Sequence, residues 1–298
     1  MLSWGQAVAG GVTVGRAAPA IAIVIDDLGK QLEPGRRVVA LPGPVACAFL
    51  PREPYTVALA DAAHHSGKEV MLHLPMDSVD GRPLDQGAVT LDMNEGEFLR
   101  TVQANLALLP HAVGVNNHMG SLLTRHPGHM SWLMSEILRR QPMFFVDSRT
   151  TVATVARQVA LENGVPSIDR NVFLDNELDE ARIAFQFRRL LKLARKEGSA
   201  LAIGHPHPQT LALLERLQAA PGIRPHQRVY AGIALAYAAL KADDTRRLQE
   251  LRPWLESVAS LGENQEPRWR ERGGRNRESR FKQRVSARSC LLQCALAS

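Results

Sequence analysis

Residues 21–29 read Ile21-Ala22-Ile23-Val24-Ile25-Asp26-Asp27-Leu28-Gly29, and this stretch decides the fold class. An apolar run rich in β-branched side chains and closed by a glycine turn has the signature of a strand buried on both faces, as in parallel sheets covered by helices. Two adjacent carboxylates at the end of such a strand are costly to remove from water unless an opposite charge compensates them. A bound cation is the usual compensation. The plainer alternative is a pair of solvated turn or helix-capping residues.

Working outward, short apolar runs recur at 45–50, 69–74, 112–115, 143–146, 165–169, 172–174 and 200–203. Helical patterns lie between them at about 55–66, 96–109, 131–140, 180–196 and 209–219, and a last run at 229–235 completes the domain. Strands alternating with helices predict an α/β fold with a parallel sheet and crossover helices. Polar residues close these runs at 27, 73, 118, 147, 175 and 205, separated by 46, 45, 29, 28 and 30 residues. The three short separations fit one strand–helix unit of roughly 30 residues each. All six sit at C-terminal strand ends, where barrels and open α/β sheets build their sites because the following loops converge there.

The chain of 298 residues divides into an N-terminal segment at 1–19, a domain at 20–238 and a charged helix with an Arg-rich tail at 239–298. The tail lacks periodic apolar pattern and reads as disordered. With 45% hydrophobic and 22% charged residues, the chain as a whole has the composition of a globular protein. The net charge of +6 is accounted for between Glu266 and Cys290, where nine basic residues stand against three acidic ones. The domain is therefore neutral overall, which argues against nucleic acid as its partner. No run is long enough for a transmembrane segment. Ala17-Ala18-Pro19-Ala20 resembles a signal-cleavage region, but no Lys or Arg precedes Arg16 and Gly10-Gly11 interrupts the apolar stretch, so a signal peptide is not evident. Cys47, Cys290 and Cys294 form no zinc-type or disulfide pattern, and Cys47 reads as a core residue.

Metal-assisted hydrolysis of an amide or ester needs nitrogen and oxygen ligands, an open coordination position and a nearby base. Asp27, His73 and His118 offer one carboxylate and two imidazoles from three strands, with Asp26 free to take a proton. His205 and His207, in Gly204-His205-Pro206-His207, offer a proton to a leaving group. Each has a plainer reading. His73 fits a hydrogen-bonded strand-end histidine, and the alternating prolines give His205 and His207 a structural alternative. Asp147 and Asp175 also fit helix caps or ion pairs with Arg149 and Arg170. His64 and His65 read as surface residues.

The segments IVIDDLG, EVMLHLPM, AVGVNNHMGS, FFVDSRT, RNVFLD and AIGHPHPQT, in this order, resemble the divergent polysaccharide deacetylase family over about residues 20–235. The resemblance implies a deformed (β/α) barrel of about seven parallel strands, a cell-envelope polysaccharide or glycan as substrate, and a place in the periplasm or envelope. Better-known deacetylases of this fold use a first Asp as base, a second as metal ligand, and two histidines separated by three residues. Asp26-Asp27 matches the first half. Four residues after His73, however, stands Asp77, so His118 is the preferred third ligand and Asp77 the reserve.

The expected function is metal-dependent removal of acetyl groups, with a divalent ion, zinc by expectation, on Asp27, His73 and His118. Asp26 is the expected base, oriented by Asp147 or Arg170. His205 or His207 is the expected acid, and Asn116, Asn117, Ser121, Arg149 and Asp175 face the substrate. Two alternatives stand beside it. One is a non-catalytic envelope protein that binds glycan or a partner on the same fold, and the other is hydrolysis of a different bond such as a phosphoester.

Overall fold

The apolar run at 21–25 becomes β1 (Ala20–Leu28), the strand around which the sheet is built. In the computed structural model, which describes residues 20–219 apart from 42, 44, 141 and 142, seven further strand segments follow. They are β2 (Ala46–Phe49), β3 (Glu69–Met76), β4 (Ala112–Met119), β5 (Phe144–Asp147), β6 (Ser167–Asp169), β7 (Val172–Phe173) and β8 (Ser199–Gly204). Every pairing is parallel, in the order β6-β5-β4-β3-β2-β1-β8-β7. The expected run at 229–235 and the charged helix and tail at 239–298 lie outside the described residues.

The two ends of this order are neighbours in the chain. Only Arg170 and Asn171 separate β6 from β7, a distance of about 10 Å at full extension. Arg170 N donates to Asp147 O on the β5 side, while Asn171 N donates to Leu201 O on the β8 side. Asn171 Oδ1 in turn accepts from Leu201 N. One extended stretch thus changes partner midway and carries the curled sheet round on itself. With β6 and β7 taken as one interrupted strand, the barrel has the seven strands that the family resemblance implies.

Among the described residues seven helices surround the sheet: α1 (Leu32–Ala40), α2 (Thr56–His65), α3 (Glu95–Ala107), α4 (Pro127–Arg139), α5 (Ala156–Glu162), α6 (Glu180–Glu197) and α7 (Pro208–Ala219). Among the described residues none is long and apolar enough to cross a membrane. The sequence pattern anticipates five of them. It misses α1, whose Pro34-Gly35 reads as a breaker although proline is tolerated in a first turn, and α5, which is too short for a period. α3 begins with a capping box: Asn94 Oδ1 accepts from Glu97 N, and the Glu97 carboxylate accepts from Asn94 N.

Strand alternation divides side chains between helices and lumen. Val70, Leu72, Leu74 and Met76 of β3 and Phe145 of β5 join the core under the helices, with Cys47 of β2. Burial pushes the Cys47 thiol up to about 12, as suits an inert core residue. The opposite parity, with Met71, His73 and Asn116, faces the lumen. Gly114 belongs to that set, and a Cβ there would come within 2.7 Å of the Phe144 ring. The lumen is therefore packed below the site, and its polar groups lie at one end.

Candidate active site

A regular strand would send Asp26 and Asp27 to opposite faces. Here the β1–β2 register shifts between Ile25 and Leu28, and Asp27 takes a left-handed backbone with φ 57°. Aspartate enters that region more readily than most residues. The irregularity turns Asp27 back towards the mouth, so both carboxylates serve the same end of the barrel.

Three donor atoms converge there. Asp27 Oδ1 lies 3.0 Å from His118 Nδ1 and 3.3 Å from His73 Nε2, and the two ring nitrogens are 3.0 Å apart. The outer nitrogens of both rings have partners. His73 Nδ1 meets Asn116 Oδ1 at 3.0 Å, and His118 Nε2 meets Asp85 Oδ2 at 3.0 Å. The Asn116 orientation follows from its own amide nitrogen, which donates to Asp26 Oδ1 at 2.8 Å and to Ser148 Oγ at 3.2 Å. With their N–H groups directed outward to Asn116 and Asp85, the inner ring nitrogens of His73 and His118 are left to face each other and Asp27 Oδ1 as lone pairs. That oxygen is buried without a hydrogen-bond partner among the described residues.

Three mutually facing acceptors call for positive charge. Although burial disfavours the imidazolium at His73, the Asp26 and Asp27 carboxylates lift it above the usual histidine value. Burial works against the Asp27 carboxylate too, but His118 and His73 hold it well below the usual range. A divalent cation supplies the same charge and satisfies all three donors. One carboxylate with two imidazoles is the donor set of open catalytic zinc sites, and the triangle suits ligands about 2.0–2.2 Å from a shared ion. Asp27, His73 and His118 therefore fit a metal.

Around this triangle stand a candidate base and a candidate acid. Burial raises Asp26 above the usual carboxylate value, opposed by the charges of His73 and His205 and by the Asn116 hydrogen bond. Its Oδ2 lies 3.6 Å from His73 Nε2. On the far side, His205 Nδ1 donates to Asp175 Oδ1 at 2.9 Å, while Asp175 Oδ2 accepts from His205 N and Thr210 Oγ1. Burial opposes the charge on His205, but Asp175 outweighs it and raises the imidazole to about 9. His205 Nε2 points back to within 4.0 Å of Asp27 Oδ2.

Several expected roles change. Asn116 and Asn117 are buried and committed to the protein rather than to sugar: Asn116 ties Asp26 to His73, and Asn117 bonds Met119 O and Ser148 N. Asp147 does not orient Asp26. Strand parity sends it to the helix side, where Arg149 N and Thr154 Oγ1 occupy its oxygens. Arg170 is held by the Ser148 and Arg149 carbonyls and reaches Asp26 only through its field. Asp175 orients His205 instead of facing substrate. Ser121 pins the β3–α3 loop through Ser78 Oγ and Val79 N, whereas Arg149 stands exposed. Asp77, the reserve ligand, is spent on Ser78 N and Leu91 N. His207 groups with Asp175 and His205, but both Asp175 oxygens are taken, so that group holds a proton more readily than an ion. Sequence reasoning missed Ser148, Thr210 and Asp85. Parity along Phe144 to Ser148 could have found the first, but no local signal marks the other two.

Comparison with known proteins agrees with this architecture. An uncharacterised protein of Agrobacterium tumefaciens has a similar fold, with a TM-score of 0.62 at 19% identity, covering 68% of this chain and 83% of that one. The uncharacterised YibQ of Escherichia coli is 41% identical over 197 residues, 66% of this chain and 61% of its own. The chain thus spans less than two thirds of that relative's length. An uncharacterised Haemophilus influenzae protein is 38% identical over 195 residues, 65% of this chain and 69% of its own. The family profile described as divergent polysaccharide deacetylase matches residues 23–224, and with the site ordered as above, this chain belongs to the divergent polysaccharide deacetylase family.

Proposed function

We propose that the protein is a metal-dependent hydrolase that removes acetyl groups from a cell-envelope polysaccharide or glycan, acting in the periplasm or envelope. The observation that carries this reading is the orphaned Asp27 Oδ1 facing His73 Nε2 and His118 Nδ1. These three residues would hold a divalent ion, zinc by its donor set, which when bound supplies Lewis-acid polarisation of the acyl carbonyl and strengthens water as an acid.

The chain's own residues carry the protons. Asp26, whose basicity burial raises, accepts the proton that water loses as it attacks the acetyl carbon. Asn116 fixes one oxygen of Asp26, leaving the other for this transfer. As the bond from the acetyl carbon to the sugar nitrogen or oxygen breaks, His205 gives its Nε2 proton to the leaving group. Asp175 stabilises the cationic ring beforehand. Acetate and the free amine or alcohol result.

The non-catalytic alternative is motivated by Asp77 standing where the better-known pattern has a second histidine. His118 offers the donor that Asp77 does not, which weakens that motive. The test is metal analysis of the purified protein followed by acetate release from acetylated glycans. Asp27→Ala should lose both metal and activity, whereas Asp26→Ala should keep metal and lose turnover. Full activity in both variants would overturn the mechanism, and a metal-free protein that binds glycan tightly would favour the alternative.

A further inference from the structure

We propose that Asp85 is a positioning residue for the candidate metal centre, so that the β3–α3 loop governs how tightly the ion is held. The proposal rests on the metal-site reading above. Asp85 Oδ2 lies 3.0 Å from His118 Nε2, on the far side of the imidazole from Asp27. It therefore does not join the donors. It accepts the Nε2–H and so leaves Nδ1 as the lone pair that faces Asp27 and His73. A carboxylate behind a ligating histidine fixes its tautomer and orientation and makes the ring a stronger donor. The outer nitrogen of the other histidine, His73 Nδ1, meets a neutral amide, Asn116 Oδ1, so among the described residues a carboxylate stands behind the outer nitrogen of His118 alone.

The carboxylate is itself held. Lys30, from the β1–α1 loop, reaches Asp85 at 3.0–3.1 Å, which fixes the carboxylate beside the ring and joins the loops after β1 and β3. The segment around Asp85 is fastened to the barrel rather than swinging over it. Val89 N donates to Pro75 O and Asp77 N to Val89 O. Gly87 has φ 82°, and its carbonyl accepts from Asn105 Nδ2 at 2.7 Å. A Cβ on Gly87 would meet Asn105 Oδ1 at 2.5 Å, and Asn105 is wholly buried on α3. The turn that presents Asp85 is thus keyed to a helix, and a site built on such support retains its geometry.

The test is zinc affinity of the purified full chain, measured by competition with a chromophoric chelator. Far-UV circular dichroism and the melting temperature of the metal-free proteins serve as controls for folding. Asp85→Ala should bind zinc about 10–100-fold more weakly with its metal-free melting temperature unchanged. Asp85→Asn keeps an acceptor oxygen for Nε2–H and should recover part of that loss. Asp92→Ala, an exposed carboxylate of the same loop, should match the parent protein. If the parent binds zinc and both Asp85 variants stay within about twofold of it, the proposal is overturned while the metal reading stands. Failure of the parent to bind zinc overturns both.

Discussion

On the β1–β3–β4 side of the barrel mouth, Asp27 Oδ1, His73 Nε2 and His118 Nδ1 crowd within 3.3 Å, and the carboxylate oxygen has no hydrogen-bond donor among the described residues. On the β7–β8 side, Asp175 is more deeply buried than the partly exposed Asp27, and each of its oxygens is answered by His205 or Thr210. Both regions place a carboxylate beside histidine at the barrel mouth. They differ in where the hydrogens point. The first turns its N–H groups away from the carboxylate and leaves room for a charge from outside, whereas the second turns one inward and keeps its own proton. Under the proposed function, that difference lets one mouth hold a Lewis acid and a proton donor at the same pH.

The largest expected effect comes from breaking the first region. Asp27→Ala should abolish stoichiometric metal binding, and zinc should no longer raise the melting temperature. In the parent protein, zinc at 100 times its dissociation constant should stabilise the fold by about 2.7 kcal/mol. Next comes Asp26→Ala, which lies outside the donor triangle. Metal content should persist while kcat falls by about 10²–10⁴, the usual worth of a positioned base.

The second region is tested by pH. With His205 raised to about 9, the protonated ring persists through neutrality, and kcat should fall as the pH rises through that value. Asp175→Asn removes the carboxylate that raises it, so the alkaline limb should move to lower pH, with metal content unchanged. A limb that stays near 9 in this variant would separate His205 from the acid role. The smallest effect lies far from either region. Asn94→Ala removes the α3 cap and should cost about 1 kcal/mol in denaturant unfolding, leaving metal affinity unaltered.

Much of this arrangement was legible in residue order. The β-branched run before Asp26 could be read as a buried strand, and the polar closures at 73, 118, 175 and 205 could be assigned to one end of a parallel sheet. Asp147 shows the limit of that reasoning. It closes a strand as Asp27 does, but it stands on the helix-facing parity and caps its own turn, while Ser148 takes the inward place. Asn116 was expected to bind sugar because an amide near a strand end is suited to it. Only the packing of β1, β3 and β4 shows its two ends spent on Asp26 and His73. Asp85 carries no periodicity or motif in a loop full of acids, and its partner lies on another strand.

By itself, the sequence determined the order of the strands and of the longer helices between them, the acid pair at the end of β1 and the mouth towards which the histidines project. Those are local properties, set by the period of apolar residues and by what terminates each run. Tertiary structure decided which ring nitrogen faces inward, which carboxylate is orphaned and which is answered, and how β6 and β7 close the barrel. A hydrogen bond such as Asn116 to Asp26 joins residues 90 positions apart. Its existence depends on sheet register, on a left-handed turn at Asp27 and on strand parity, and these become definite only when the strands are paired.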